Sequence, residues 1–275
     1  MGCSASLVIY NYQLEFFLPA INSFLVSFSD GVLVISDNSI EPLEDELLNN
    51  PRIKYIFNHA NLGFGTAHNR AIAAIDWESD FHLILNPDIT FEPNVIPWLI
   101  GLFHSNPAIG AIMPRINYPD GTLQRLCKLL PTPVDLILRR FVPIRSVQIA
   151  INNRYEMYDL PQDCLVDVPT ISGCFLIVRT ELFRRIGGFD ERFFMYLEDV
   201  DLVRRIGDIA RVVYEPKVCV THAYAKGSYR NKTLLAYHIL SALRYFGKWG
   251  WFWDPVRADR NRRTLNKIKA LNSFF

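Results

Sequence analysis

The sequence predicts an α/β domain built on a largely parallel sheet, and three observations carry that expectation. Short β-rich apolar runs recur along the first 90 residues, stretches of helical character separate them, and a polar cluster follows each run. The runs are residues 6–10 (SLVIY), 32–36 (VLVIS), 53–57 (IKYIF) and 81–85 (FHLIL). Near-continuous apolar strands are buried on both faces, the habit of parallel sheets covered by helices. Residues 14–27 and 66–75 supply covering helices between the runs. The 275 residues are 50% hydrophobic and 21% charged, which supports a large core and excludes wholesale disorder.

In such sheets ligands collect beyond the carboxyl ends of the strands, so the residues just after each run should make chemical sense together. Asn11-Tyr12 follows the first run and Asp37-Asn38-Ser39 the second. Residues 58–65 (NHANLGFG) follow the third, and Asn86-Pro87-Asp88 the fourth. A single Asp-Asn-Ser is most simply a turn that satisfies its own backbone. Four polar sets at successive strand ends point to a site. Gly63-x-Gly65 lacks the Gly-Lys-Ser/Thr of a P-loop, and His68 stands where a dinucleotide fingerprint needs its third glycine. ATPase and dehydrogenase functions lose their main support, while close backbone approach by a nucleotide stays open.

The second half adds carboxylates. Residues 172–179 (SGCFLIVR) read as a loop entering a buried strand, and 181–186 as a short helix stopped by Gly187-Gly188. Glu198, Asp199 and Asp201 then fall within four positions beside an aromatic cluster. Buried without partners they would be costly; opening a helix, they gain from its dipole.

This ordered set resembles the family-2 inverting glycosyltransferases of GT-A fold, over about residues 6–225. The matching pieces are Asp37-Asn38-Ser39, Asn61-x-Gly63-Phe64-Gly65-x-x-x-Asn69, Leu85-Asn86-Pro87-Asp88, Ser172-Gly173-x-Phe175, Gly188-Phe189-Asp190, Met195-Tyr196-x-Glu198-Asp199-x-Asp201-Leu202 and His222. Asn-Pro-Asp and the 193–199 run (FFMYLED) look most like the bacterial rhamnosyltransferase branch, which uses dTDP-L-rhamnose to build O-antigen and related surface glycans. The resemblance implies donor contacts from Asn11, Asp37, Asn38, Asn61, Gly63, Phe64, Gly65, Asn69, Asn86 and Asp88. It implies acceptor contacts from Ser172, Gly173, Tyr196 and Asp201. Asp199 is the expected general base, with Glu198 beside it; like charge from Glu198 and Asp201 would raise its pKa. Asp88 and His222 are the expected ligands of a divalent cation, Mg²⁺ or Mn²⁺, bridging the donor phosphates. Asn86 departs from the usual Asp-x-Asp, replacing a carboxylate by a weaker amide ligand. A UDP-sugar donor, or a catalytically silent nucleotide-binding scaffold, are the competing implications.

The expected organisation is a transferase domain over 1–225, its nucleotide-sugar half at 1–90 and acceptor half at 91–225, followed by a helical extension at 226–275. A net charge of +1 conceals an uneven distribution. Residues 226–275 hold 11 of the 29 Lys and Arg and 2 of the 28 Asp and Glu, a net +9 against −8 for the rest. Such a tail needs an anionic partner or a reason to sit beside one. Residues 233–246 place Leu234, Leu235, His238, Ile239, Ala242, Leu243 and Phe246 on one helical face, with Tyr237, Ser241, Arg244 and Lys248 opposite. Trp249, Trp251, Phe252 and Trp253 follow, then a basic run. Aromatics beside cations suit an anionic membrane surface, the inner face of the cell membrane, where a lipid-linked saccharide acceptor would be met. No recognised nucleic-acid module accompanies the charge. Lys226, Ser228 and Arg230 are candidates to touch a diphosphate. Five scattered cysteines without ligand spacing point to a reducing, cytoplasmic setting.

Overall fold

A computed structural model describes residues 2–75, 79–136, 144–223 and 232–273; Lys226, Ser228 and Arg230 lie outside them. The chain runs β1 (Cys3–Ile9), α1 (Leu14–Ser27), β2 (Val32–Asp37), β3 (Ile53–Phe57), α2 (Phe64–Ala73), β4 (Phe81–Leu85), β5 (Ile89–Phe91), α3 (Val95–Ser105) and β6 (Ile109–Asn117). It continues through α4 (Pro133–Leu136), α5 (Arg145–Tyr155), β7 (Val166–Asp167), β8 (Phe175–Arg179), α6 (Thr180–Arg185), α7 (Glu198–Ile206), β9 (Arg211–His222), α8 (Lys232–Trp249) and α9 (Pro255–Asn272). One sheet holds all nine strands in the order β3-β2-β1-β4-β8-β6-β9-β5, with β7 on β9.

The four expected strands form the parallel half. Strand β8 joins it antiparallel to β4, and β6 and β9 pair in parallel beyond. Two registers position the site. Leu85 lies opposite Phe175, so the residues after β4 meet those before β8, and the Asn86 N–H donates to the Cys174 carbonyl at 2.8 Å. Ile89 lies opposite His222, which brings the end of β9 beside Asp88.

Strand β1 starts at Cys3, earlier than its apolar run suggested, because Ser4 and Ser6 are buried polar positions with partners. Cys3, Ala5 and Leu7 share the main core with Phe17, Ile21 and Phe24 of α1. On the other face, Ser6 Oγ meets His82 Nε2 at 2.7 Å and His68 Nδ1 at 2.6 Å, while Ser4 Oγ meets His82 Nδ1 at 2.8 Å. Burial holds both histidines neutral, lowering His68 to about 3 and His82 well below the ordinary range. A buried polar seam of this kind is tolerable because the two hydroxyls and three of the four ring nitrogens satisfy one another, His68 Nε2 alone lacking a hydrogen-bond partner among the described residues.

Helix α2 begins at Phe64, two residues early, with Gly63 as N-cap at φ +79°, ψ −176°. That conformation is open to glycine almost alone, and a Cβ there would run into the Phe194 carbonyl. The Phe64 N–H instead donates to this carbonyl at 2.9 Å. A Cβ at Gly65 would lie 2.8 Å from Phe189 Cβ. Asn69 completes the dock: its amide oxygen accepts the Phe189 N–H at 2.8 Å and its nitrogen donates to the Phe189 carbonyl at 2.9 Å. The segment 189–194 is thereby fastened across the start of α2.

The extension is no separate body. Ala242, Tyr245, Phe246 and Ile268 belong to the main core. The buried face of α8 is rotated from the expected one: Ser241, Ala242, Tyr245 and Phe246 are covered, while Leu235, Ile239 and Leu243 stay exposed. Polar tips on the covered face find partners, Ser241 Oγ donating to the Met195 carbonyl at 2.7 Å and the Tyr245 hydroxyl accepting from Arg204 at 3.2 Å. Arg204 also grips Asp254, the α9 N-cap, through two bonds of 2.7 and 2.9 Å, both side chains 3% exposed. Much of the tail's charge is answered by the acidic body: Lys248 by Asp190 and Asp201, Arg260 by Asp208, Lys267 by Asp167. The charge excess thus has its reason to sit where it does. Among the described residues no helix is long and apolar enough to cross a membrane, and all five cysteines are free thiols.

Two stability outcomes follow. Gly63→Ala, which must dislodge the 189–194 segment, lowers the unfolding free energy by more than about 2 kcal/mol. Gly101→Ala, in open space within α3, raises it by roughly 0.5–1 kcal/mol. Chemical denaturation of the two variants checks the contrast. Asp254→Ala strands a buried guanidinium and costs about 3–5 kcal/mol in the same assay, whereas Asp259→Ala, which breaks exposed pairs with Arg262 and Arg263, costs less than about 1 kcal/mol.

Candidate active site

The carboxyl rim of the parallel half gathers the expected polar sets. Asn11 is exposed at φ +53°, its N–H donating to Ser39 Oγ at 2.7 Å and its side-chain oxygen accepting from the Ile40 N–H at 3.1 Å. Asp37 is fully buried; its oxygens accept from the Ser39 N–H and the Tyr55 hydroxyl, each at 2.7 Å. Each carboxylate oxygen keeps a second lone pair. Tyr12 stands at the mouth, its phenol raised by burial and by nearby Asp88.

The glycine loop is a correction. The close approach expected from a nucleotide is made by the chain itself at Gly63 and Gly65. Phe64 lies edge-on to His68 and Phe189, and a Cβ at Gly173 would crowd Phe64 and Asp199 at 3.2 Å each. Asn38 is buried and donates to the Gly63 carbonyl at 3.1 Å while accepting from Asn58 at 2.9 Å. Asn61 accepts from the Gly63 N–H at 3.0 Å, and Asn69 is taken up by Phe189. These residues build the floor of the site through contacts within the chain.

Dihedral strain marks the acidic motif. Tyr196 and Leu197 hold φ +69° and +65° in succession, a left-handed pair costing about 1–3 kcal/mol per residue. They turn the docked 189–194 segment into the first turn of α7, where Glu198 and Asp199 sit at the positive end of the helix dipole. Asp199 is half-buried; Oδ2 accepts the Gly173 N–H at 3.0 Å and Oδ1 the Val200 N–H at 2.8 Å. Burial raises its pKa while those two N–H groups and Lys128 oppose the rise. Glu198 is buried with Oε2 unpartnered among the described residues, and burial followed by the Asp199 charge pushes its carboxyl well above the usual range. The two N–H donors favour the ionised form of Asp199, whereas Glu198, with one oxygen unpartnered among the described residues, has the stronger upward push. Burial, not like charge from Asp201, is the main cause on Asp199.

Asp201 is a second correction. It is fully buried, with Oδ2 bonded to Arg205 at 2.8 Å and Oδ1 to Lys248 and Trp249 at 2.7 and 2.8 Å. Both oxygens are bonded and sealed from solvent, and the residue ties α7 to α8. Tyr196 remains at the site, half-buried with its ring 5.3 Å from that of His238. Ser172 Oγ accepts the Cys174 N–H at 3.3 Å and shapes the turn that carries Gly173.

Across Cys174 from Asp199 lies the other half of the site. Burial holds the Cys174 thiol up at about 12, with Asp199 and Asp88 both adding to the rise, so it is no nucleophile. Asp88 Oδ1 and His222 Nε2 approach to 3.2 Å. Among the described residues no three His, Cys, Asp or Glu converge on one point. A carboxylate and an imidazole nitrogen side by side nevertheless suit a hard cation that takes its remaining ligands from phosphate and water. Asn86, half-buried, is fixed here through its backbone. Sequence reasoning missed Gln124, which touches His222 twice, because a lone glutamine after a strand carries no recognisable spacing.

Comparison with known proteins agrees with this geometry. The family model "Glycosyl transferase family 2" matches residues 4–187. An N-acetylglucosaminyl-diphospho-decaprenol L-rhamnosyltransferase of Mycobacterium tuberculosis (strain ATCC 25618 / H37Rv) is 34% identical over 220 residues, 72% of this chain and 70% of that protein. Rhamnosyltransferase WbbL of Escherichia coli (strain K12) is 25% identical over 217 residues, 75% of this chain and 76% of its own. Among solved structures, GalNAc-T7 with UDP, GalNAc and Mn²⁺ matches at TM-score 0.61 and 14% identity, over 90% of this chain but only 50% of that one. The mannosyltransferase PcManGT of Pyrobaculum calidifontis, with GDP-Man and Mn²⁺, matches at 0.54 and 13% identity, over 98% and 75% of the two chains. At these identities the structural likeness is one of fold, the GT-A fold. With an acidic pair at a helix start, a carboxylate–histidine pair across from it, and a family match over most of its length, the chain belongs to glycosyltransferase family 2.

Proposed function

We propose that the protein transfers L-rhamnose from dTDP-L-rhamnose to a hydroxyl of a lipid-diphosphate-linked saccharide in cell-surface polysaccharide synthesis, with inversion. The observation that carries this is the seat of Asp199, a carboxylate fixed by Gly173 beside the buried Glu198. Likeness to a relative named for L-rhamnosyl transfer to N-acetylglucosaminyl-diphospho-decaprenol supports the choice of sugar and of acceptor class. Asp199 takes the proton of the acceptor hydroxyl as that oxygen bonds to the anomeric carbon. The bond from that carbon to the diphosphate breaks on the opposite side, and the nucleoside diphosphate departs with the electron pair. Asn11 and the 37–39 turn offer hydrogen-bonding groups to the base, and Tyr196 is at hand for the acceptor. A Mg²⁺ or Mn²⁺ ion bound by Asp88 and His222 would neutralise charge developing on the leaving diphosphate.

The extension supports docking on a membrane surface. Its cations are largely paired within the protein, so apolar surface is the stronger argument. Leu235, Ile239, Leu240 and Leu243 are exposed along α8, and Phe252 and Trp253 are each 87% exposed in the turn before α9. The same helix passes Tyr196 through His238, next to the acceptor side. A bilayer held there would present a lipid-linked acceptor without its leaving the membrane.

Asp199→Asn lowers kcat by about a hundred- to ten-thousand-fold, with dTDP binding by thermal shift unchanged; wild-type turnover in the variant would reject Asp199 as the base, and intact cellular glycan assembly with no turnover in either protein would favour a silent scaffold. Because the base works as carboxylate and burial raises its pKa, activity falls as pH drops through a value above the ordinary Asp figure of about 4. A kcat/KM profile measures that limb. Stronger stabilisation by UDP than by dTDP would reject the rhamnose donor. The protein floats with vesicles containing anionic lipid, and Phe252→Ser/Trp253→Ser/Ile239→Glu stays in the soluble fraction while keeping turnover of a short-chain acceptor. Failure of the wild type to float at low salt would reject membrane docking.

A further inference from the structure

We infer that Gln124 is a positioning residue for the Asp88–His222 pair, locking the His222 ring in the tautomer whose Nε2 lone pair faces Asp88. The inference rests on reading Asp88 and His222 as the pair that holds a cation. Its logic is the inventory of donors and acceptors around one buried amide. Gln124 is 4% exposed, and its backbone N–H is fixed to the Ile116 carbonyl at 2.8 Å. Its side-chain nitrogen, which only donates, faces two main-chain carbonyls, His222 at 2.8 Å and Asn117 at 3.5 Å. Turning the amide over would set its oxygen against those carbonyls, acceptor on acceptor. The oxygen is therefore the atom that meets His222 Nδ1 at 2.9 Å. An amide oxygen only accepts, so Nδ1 carries a hydrogen, and in the neutral ring Nε2 holds the lone pair.

That lone pair lies 3.2 Å from Asp88 Oδ1. At this distance a positive centre between the two atoms is favourable, whether a proton on Nε2 or a bound cation, and with Nδ1 engaged by Gln124 it is Nε2 that is left to ligate. Gln124 holds ring and main chain of the same residue, so the imidazole cannot rotate without losing a bond to it. The β5–β9 register fixes the backbone of His222 opposite Ile89, one residue from Asp88. Sheet pairing thus sets the distance, and Gln124 sets the ring. A group that donates or accepts behind a ligating histidine typically governs metal affinity by about ten- to a hundredfold.

The test is Mn²⁺ affinity by electron paramagnetic resonance in the presence of dTDP, together with ¹⁵N–¹H correlation spectra of the histidine rings in the full-length protein. The expected wild-type spectrum, assigned with His222→Asn, shows His222 protonated at Nδ1. Gln124→Met, which fills the space without an acceptor, weakens Mn²⁺ binding about ten- to a hundredfold and loses that tautomer. A wild-type ring protonated at Nε2 alone would overturn the inference without any variant having to fold. So would Gln124→Met binding Mn²⁺ as the wild type does while His222→Ala binds it weakly, and the cation pair itself would survive. If His222→Ala and Asp88→Asn both bind Mn²⁺ as the wild type does, the pair fails and Gln124 with it.

Discussion

Everything at the acidic end of the site depends on one steric constraint, the passage of residues 189–194 across the start of α2. Gly63 and Gly65 leave room for the Phe194 carbonyl and the Phe189 side chain, and Asn69 bonds both backbone groups of Phe189. Fixed there, the chain has only three residues, Met195 to Leu197, in which to turn into α7, and the last two adopt left-handed backbone. The strain is tolerated because each neighbour is pinned: Met195 by Ser241, Phe194 by Phe64, and Asp199 by Gly173. The reward is a carboxylate whose direction is set by backbone N–H groups, not by its own rotamer preference.

Charge distribution follows the same economy of fixed partners. An acidic body and a basic tail face each other, and their contacts range from the fully buried Arg204–Asp254 pair to exposed Lys267–Asp167. Only buried pairs of good geometry matter much to stability, and removing one partner of such a pair is worse than never having had it. Asp201 belongs to this set, joining Arg205, Lys248 and Trp249. The acidic run therefore divides its labour. Asp201 holds the helices together, which leaves Asp199 with freedom to exchange a proton.

The parallel half of the fold was legible because its strands are apolar throughout, and apolarity needs no knowledge of the partner. Strand β1 extends three residues ahead of its apolar run for the opposite reason: Ser4 looks polar until His82 arrives from 78 residues away. The acidic motif and the Asp-Asn-Ser turn were visible as residues; their roles depended on contacts no local pattern encodes. Gly63 looks the same whether a nucleotide or Phe194 approaches it. The α8 face was misjudged because Tyr245 and Ser241 count as polar in a helical projection, although each finds a partner on docking. Gln124 was silent for want of any motif, and only the sheet brings it to His222, 98 residues on.

On the proposed mechanism Asp199 takes the acceptor's proton while the acceptor oxygen displaces the diphosphate directly, in one displacement. The stereochemistry of the first-formed product is therefore the most direct measurement of the account. Proton NMR of the anomeric centre, taken during turnover of dTDP-L-rhamnose with a lipid-diphosphate N-acetylglucosamine analogue, should show the configuration opposite to that of the donor. A product that retains the donor configuration would contradict the assignment of Asp199 as the base of a direct transfer.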